Sequence, residues 1–158
     1  MTPRIDPIDA RIVKLLQEDG RMSSTEIVRR MGDVTERVVR HRIKRLVEDQ
    51  VIHIGAVVNP SAIGFTVTAD VWVETDASAT TDVASALTRL EQVSYISYST
   101  GDRNISMQMH ATDLTELHHI VTEIINQTPG VRRTTITLIP VTLKDIHQWE
   151  IPSTVIAD

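Results

Sequence analysis

Arg37, Arg40, Arg42, Lys44 and Arg45 fall within nine residues that also hold His41. Cations at this density can neutralise phosphates, and arginine can read guanine through O6 and N7 in a major groove. A charge run can equally be a solvated helix face, so the elements that carry it must decide. Other chemistries find less support. Cysteine is absent, which excludes thiol nucleophiles, thiolate zinc sites and disulfides, and permits a reducing compartment. His118 and His119 are adjacent, so on a helix they point about 100° apart and miss the i, i+4 spacing of a metal pair. His53 and His110 fall on expected strands, where an imidazole is more often a satisfied polar group than a catalyst. No nucleophile elbow, phosphate loop or paired-carboxylate site is visible. The expectation is no enzyme, no metal and no cofactor.

The elements around the basic cluster read as three helices. Ile8, Ile12, Leu15 and Leu16 line one face of the first, with Asp6 as cap, Pro7 at the first helical position, Asp9 near the positive dipole end and Gly20 as the stop. Ser23 and Glu26 have capping-box spacing before Ile27, Val28 and Met31, and Gly32 ends that helix. Thr35 caps the third. Its apolar stripe is Val39, Ile43, Leu46 and Val47, which leaves Arg37, Arg40, His41 and Lys44 mostly on another face. Two short helices joined by a tight turn, the second basic opposite its apolar stripe, have the form of a helix-turn-helix that docks in a major groove. A plain three-helix bundle is the competing arrangement.

Beyond residue 50 the hydrophobic period changes from 3.6 to 2. Residues 51–58 read as a strand, and Asn59, Pro60 and Gly64 break it into a connector. Val67, Ala69, Val71 and Val73 alternate along a strand, and Val83, Leu87 and Leu90 mark a helix. Residues 93–100 form a strand, turned at Gly101 and Asp102. Ile105, Met107, Met109 and Ala111 alternate again. Leu114, Leu117, Val121, Ile124 and Ile125 mark a second helix before a last strand over 131–139.

The fold class is α+β, a winged or three-helix helix-turn-helix domain (1–52), a strand and linker (53–65), a ferredoxin-like βαββαβ domain (66–144) and a tail (145–158). One sheet face carries Trp72, Tyr98 or Ile96, His110 and Thr137. A second copy is its simplest cover, and a symmetric dimer presents two recognition helices. Trp149, in the tail, packs on the body or on a neighbouring subunit.

Charge follows the same division. Residues 1–50 hold 11 Lys/Arg against 9 Asp/Glu, and 51–158 hold 5 against 12, within a net charge of -5. A basic module on an acidic body suits a nucleic-acid partner better than the total suggests. With 158 residues, 41% of them apolar, the chain can bury a core without staples. No run reaches the roughly 20 apolar residues of a membrane helix, and no signal-peptide pattern opens the chain, so a cytoplasmic location is expected.

The segments IDPIDARIVKLLQEDGRMSSTEIVRRMG, VVRHRIKRLVEDQVI, VNPSAIGF, STGDRNISM and TPGVRRTTITLIPVTLK resemble the Lrp/AsnC, or feast/famine, transcriptional regulators across nearly the whole chain. The resemblance implies an N-terminal helix-turn-helix and a C-terminal RAM-type effector domain. It also implies dimers that assemble into octamers or larger rings, a double-stranded DNA partner and a small-molecule effector, commonly an amino acid. Carried over position by position, it assigns Ser23, Thr35, Arg37, Arg40, His41, Lys44 and Arg45 to DNA, with Arg42 and Arg45 as phosphate ligands or partners of nearby acids. The effector set is Gly101, Asp102, Arg103, Asn104, Thr134 and Ile136.

This sequence departs from the family pattern in places. Asp33 looks inserted between Gly32 and Val34. Gln50 replaces the glycine that commonly ends the third helix. Asn104 stands where the turn usually has a second aspartate, and Ile136 where a Thr-x-Thr pair has its second threonine. An effector-binding or assembly module without DNA binding is the alternative function. A sirohaem-decarboxylase-like enzyme is another, but that branch carries a His-Arg-rich linker and the linker here reads Val58-Asn59-Pro60-Ser61.

Overall fold

A computed structural model describes residues 5–101 and 103–157. They form two compact units, one of Met1–Val57 with Leu143–Asp158, the other Val58–Thr142. The helical unit contains α1 (Pro7–Glu18), α2 (Ser24–Met31) and α3 (Glu36–Glu48). Asp6 caps α1 by accepting from the N–H groups of Ile8 and Asp9 at 2.9 Å, and Asp9 returns a bond to the Asp6 N–H at 3.1 Å. Pro7 occupies the first turn, where its missing N–H costs nothing. Ile12, Ile27, Met31 and Val39 form the core between the three helices.

Only half of the expected capping box at α2 forms. Ser23 Oγ accepts from the Glu26 N–H at 3.1 Å, but the Glu26 carboxylate turns to Arg29 and Arg30 instead. Those charge-assisted bonds outcompete a neutral backbone donor, and they hold the Glu26 carboxyl down at about 2.

Helix α3 ends at a residue that departs from glycine. Gln50 has φ +57°, the left-handed conformation, and the Val51 N–H donates back to the Leu46 carbonyl at 2.8 Å. This is a Schellman closure made without glycine. Residues 51–58, expected as a strand, have no regular structure. A strand requires a neighbour for its backbone groups, and among the described residues this segment has none.

The second unit follows the expected order: β1 (Val67–Thr75), α4 (Thr80–Leu87), β2 (Val93–Tyr98), β3 (Ile105–Ala111), α5 (Leu114–His119) and β4 (Val131–Leu138). The sheet is antiparallel with order β2-β3-β1-β4, the ferredoxin-like arrangement. Ala69, Val71, Val73, Ile105, Met107 and Met109 are buried against Val83, Leu87, Leu117, Val121 and Ile125. Helix α5 runs on into a π-helical turn, Ile120–Ile125, closed by the Asn126 N–H on the Val121 carbonyl at 2.9 Å. The wider turn resets the helical phase. Ile120 enters the core, while Leu114 and Ile124, expected on the apolar stripe, are exposed. Gly130, at φ +92°, lets the chain pass Ala79 so closely that an added Cβ would lie 2.3 Å from the Ala79 Cβ.

The uncovered sheet face differs in part from expectation. Trp72, His110 and Thr137 lie on it, as their register with Ser106, Thr68 and Asp70 requires. Ile96 and Tyr98 do not, because an irregularity between Val93 and Tyr95 inverts the alternation. Ile96 therefore pairs with buried Met107 and packs on the core, and Tyr95 and Ser97 take the open side. That side is largely polar. Gln108 donates to Asp70 at 3.0 Å, Ser97 and Ser106 bond at 2.8 Å, and Thr68 meets His110 Nδ1 at 3.1 Å.

Candidate nucleic-acid interface and effector turn

On α3 the buried positions Val39 and Leu46 are one heptad apart and fix the inward side. Arg37, Arg40, His41 and Lys44 are all exposed, on the outward side. Among the described residues Arg37 and His41 have no salt-bridge partner. Arg40 pairs with Glu36 one turn earlier, and Lys44 with Glu48 at 3.6 Å. Exposed pairs of this kind contribute about 0.3–0.5 kcal/mol, so a phosphate can displace them.

Arg42 and Arg45 behave differently. Arg42 Nη1 lies 2.6 Å from Asp6 Oδ2 and 2.9 Å from Asp9 Oδ1, and Arg45 is bonded to the other Asp9 oxygen. Asp9 is fully buried. Of the two roles open to these arginines, both have the acid partner, and Arg45 keeps a partly exposed side chain beside it. An ionised carboxylate cannot be left unpaired in a helix core. Burial pushes the Asp6 carboxyl up, but the Arg42 hydrogen bond and the backbone N–H of Asp9 outweigh it, and the net shift is downward. Asp9 is the residue that sequence reasoning undervalued. The signal was present in Arg42 and Arg45, three apart on one helix, opposite an acid one turn into another.

Thr35 Oγ1 accepts from the Val38 N–H at 3.4 Å. Capping by Ser23 and Thr35 uses a lone pair, and each O–H remains able to donate to a phosphate. Asp33 is taken up by Arg11, whose Nη1 is 2.7 Å away and whose Nη2 donates to the Met31 carbonyl at 2.9 Å. The Arg11 hydrogen bond holds the Asp33 carboxyl below its ordinary value. Its charge is thereby compensated from α1.

In the sheet unit the β2–β3 turn closes with the Ser99 N–H on the Asn104 carbonyl at 2.8 Å, and Gly101 takes φ +108°. Asp102 lies outside the described residues. The Arg103 guanidinium sits over the Trp72 ring, 5.4 Å from its centroid, on the open face. Asn104 points the other way. Its Oδ1 accepts from the Thr75 N–H at 2.8 Å and from the Thr75 hydroxyl at 3.3 Å, which ties β3 to the end of β1.

Thr134 and Ile136 pair with the buried residues Val73 and Val71 and so share the helix side of β4, while Thr135 and Thr137 are on the open side. The Thr134 hydroxyl is buried without a hydrogen-bond partner among the described residues. Arg103 and Thr134 thus belong to opposite faces of the sheet, and one copy does not bring the expected effector residues together.

Two family models match. The AsnC-type helix-turn-helix domain covers residues 5–47, and the Lrp/AsnC ligand binding domain covers residues 68–148. The chain belongs to the Lrp/AsnC family. An uncharacterized HTH-type transcriptional regulator of Pyrococcus abyssi (strain GE5 / Orsay) is 35% identical to this Lrp/AsnC protein over 147 residues, 92% of this chain and 90% of its own. The Mycobacterium tuberculosis leucine response regulatory protein LrpA superposes with a TM-score of 0.73 at 28% identity, over 94% of this chain and all of its own. A Neisseria meningitidis transcriptional regulator, solved in complex with L-Met, shares the fold with a TM-score of 0.84 at 21% identity, over 94% of this chain and 96% of its own. This Lrp/AsnC chain is a transcriptional regulator of the helix-turn-helix type. No helix among the described residues is long and apolar enough to cross a membrane.

Proposed function

We propose that α3 enters the major groove of double-stranded DNA with Arg37, Arg40, His41 and Lys44 facing the nucleic acid, and Ser23 and Thr35 donating to flanking phosphates. The observation that carries this is the division of labour on α3. Two arginines are consumed by Asp6 and Asp9, and every other cation of the cluster is exposed on the outward side. Self-association through the sheet units, to a dimer or an octamer of such dimers, delivers the helices in pairs. Half-sites are then about 34–36 Å apart or multiples of that.

Duplex binding tested across salt concentrations decides the matter. The logarithm of affinity is expected to fall with the logarithm of salt by about 0.9 for each phosphate neutralised, and Lys44→Ala should reduce that slope by about one contact. A flat response refutes DNA binding and leaves an effector or assembly module.

For the effector, an amino acid is the class proposed, with its carboxylate met by Arg103. The Arg103 guanidinium lies over the Trp72 ring, 5.4 Å from its centroid, and a guanidinium so placed presents a planar fork of donors that matches a carboxylate. The amide at Asn104 supplies no negative charge for an α-ammonium. Calorimetry with the twenty amino acids should find a binder whose heat is lost in Arg103→Ala. Silence from all twenty refutes this class.

A further inference from the structure

The last segment of the chain has neither a helical nor a strand period, yet it belongs to the helical unit. Ile156 forms a parallel bridge with Ile5, and the Ala157 N–H donates to the Ile5 carbonyl at 2.7 Å. Gln17 Nε2 donates to the Trp149 carbonyl at 2.8 Å, and Lys14 Nζ lies 3.8 Å from Glu150. Ile151 packs into a cluster with Ile5, Val13 and Leu46. Leu46 is on α3, on the side opposite Arg37 and His41, and is 1% exposed. The far end of the chain thus helps to close the back of the helix whose front carries the cations.

The connectivity gives this a consequence. The chain leaves the helical unit at Val57 and re-enters it at Leu143, so the sheet unit is joined to it covalently at two points. The second join runs on from β4 and finishes against α1 and α3. Packed interfaces of this kind have discrete arrangements rather than a continuum, and a shift of about 1 Å in a recognition element is enough to lose contacts made at hydrogen-bond distance.

We propose that residues 145–157 are a positioning element of the DNA-binding unit. Through Ile151 and Ile156 they set α3 relative to α1, and so govern base readout. They are also the tether by which the sheet unit acts on α3. The proposal rests on the DNA-binding reading above, and its test separates the two.

The absence of cysteine makes Ile5→Cys with Ile156→Cys a clean probe. Mild oxidation should give an intramolecular crosslink, seen as faster migration at one-chain mass. A covalent dimer, or no crosslink, overturns the placement of the tail. Duplexes are then selected by the wild-type chain from a random pool and compared with a scrambled duplex.

Ile151→Ala and Ala157→Pro are assayed where circular dichroism shows them fully folded. They should lose roughly 5- to 100-fold in affinity for the selected duplex, the value of one bidentate base contact. Both should keep wild-type affinity for the scrambled duplex, which phosphate contacts alone supply. A tail that only adds stability lowers the melting temperature and leaves that ratio intact, and an unchanged ratio overturns the proposal. Should neither variant fold, Gln17→Ala, which removes only the bond to the Trp149 carbonyl, is judged by the same ratio. A wild-type chain that selects no duplex refutes the DNA-binding reading and the readout role with it, while the crosslink still reports where the tail lies.

Discussion

Arg42 Nη1 of α3 lies 2.9 Å from Asp9 Oδ1 of α1, and the Asp9 side chain is fully buried. Arg45 holds the second oxygen. Removing the acid leaves Arg42 with Asp6 alone and takes from Arg45, which is partly exposed, its acid partner. Asp9→Ala should therefore lower the unfolding free energy by about 1.5–3 kcal/mol, the range for hydrogen bonds to charged groups. Urea denaturation followed by far-ultraviolet circular dichroism measures it, and a loss below about 1 kcal/mol would place this network among weak surface pairs.

Asn104 is a structural clamp. Its side-chain oxygen satisfies the N–H of Thr75, which is 5% exposed. Asn104→Ala should destabilise the sheet unit by about 1–3 kcal/mol, the cost of a buried donor left unpaired, whereas Asn104→Asp keeps an acceptor in place and should be close to neutral. Thermal melts of the two variants distinguish this from a residue that only meets an effector, for which both would melt like wild type.

His110 on β3 is shifted below its ordinary value by burial. A base that is harder to protonate when folded takes its proton first in the unfolded chain. Its neutral form is therefore compatible with full stability above pH 6.5, and stability falls as pH drops below that toward the folded value. The groups facing it include the Thr68 hydroxyl, bonded at Nδ1. His110→Gln should flatten the dependence of melting temperature on pH between about 5 and 7. An unaltered slope would assign that dependence to other histidines.

Gln50 occupies a left-handed position that favours glycine. Gln50→Gly should raise stability by about 1 kcal/mol, because the steric cost of a Cβ there exceeds the added freedom of glycine in the unfolded chain. Chemical denaturation reads the sign directly, and a destabilised variant would show that the Gln50 side chain earns its place by contacts.

Much of the fold was legible because local rules act within a few residues. Asp6, Pro7 and Gly32 mark helix ends by hydrogen bonding and backbone conformation, and the strands of the second unit announce themselves by alternation on a sheet buried on one side. What failed did so where a local pattern is reset or completed from elsewhere. The irregularity after Val93 moved Ile96 and Tyr98 to the other face, and the π-helical turn exchanged Ile124 for Ile120. Residues 51–58 have strand composition but no neighbour among the described residues to pair with.

The sequence by itself determined that a basic helix follows a tight turn in the first fifty residues and that a βαββαβ sheet unit follows it, since periodicity and caps are written in the order of residues. Only the tertiary structure decided which cations pair with a buried acid and which stay on the outward side of α3. That depends on where buried Asp9 and the returning Ile151 lie against α3, and long-range pairing and packing are properties of the folded arrangement rather than of any local stretch of chain.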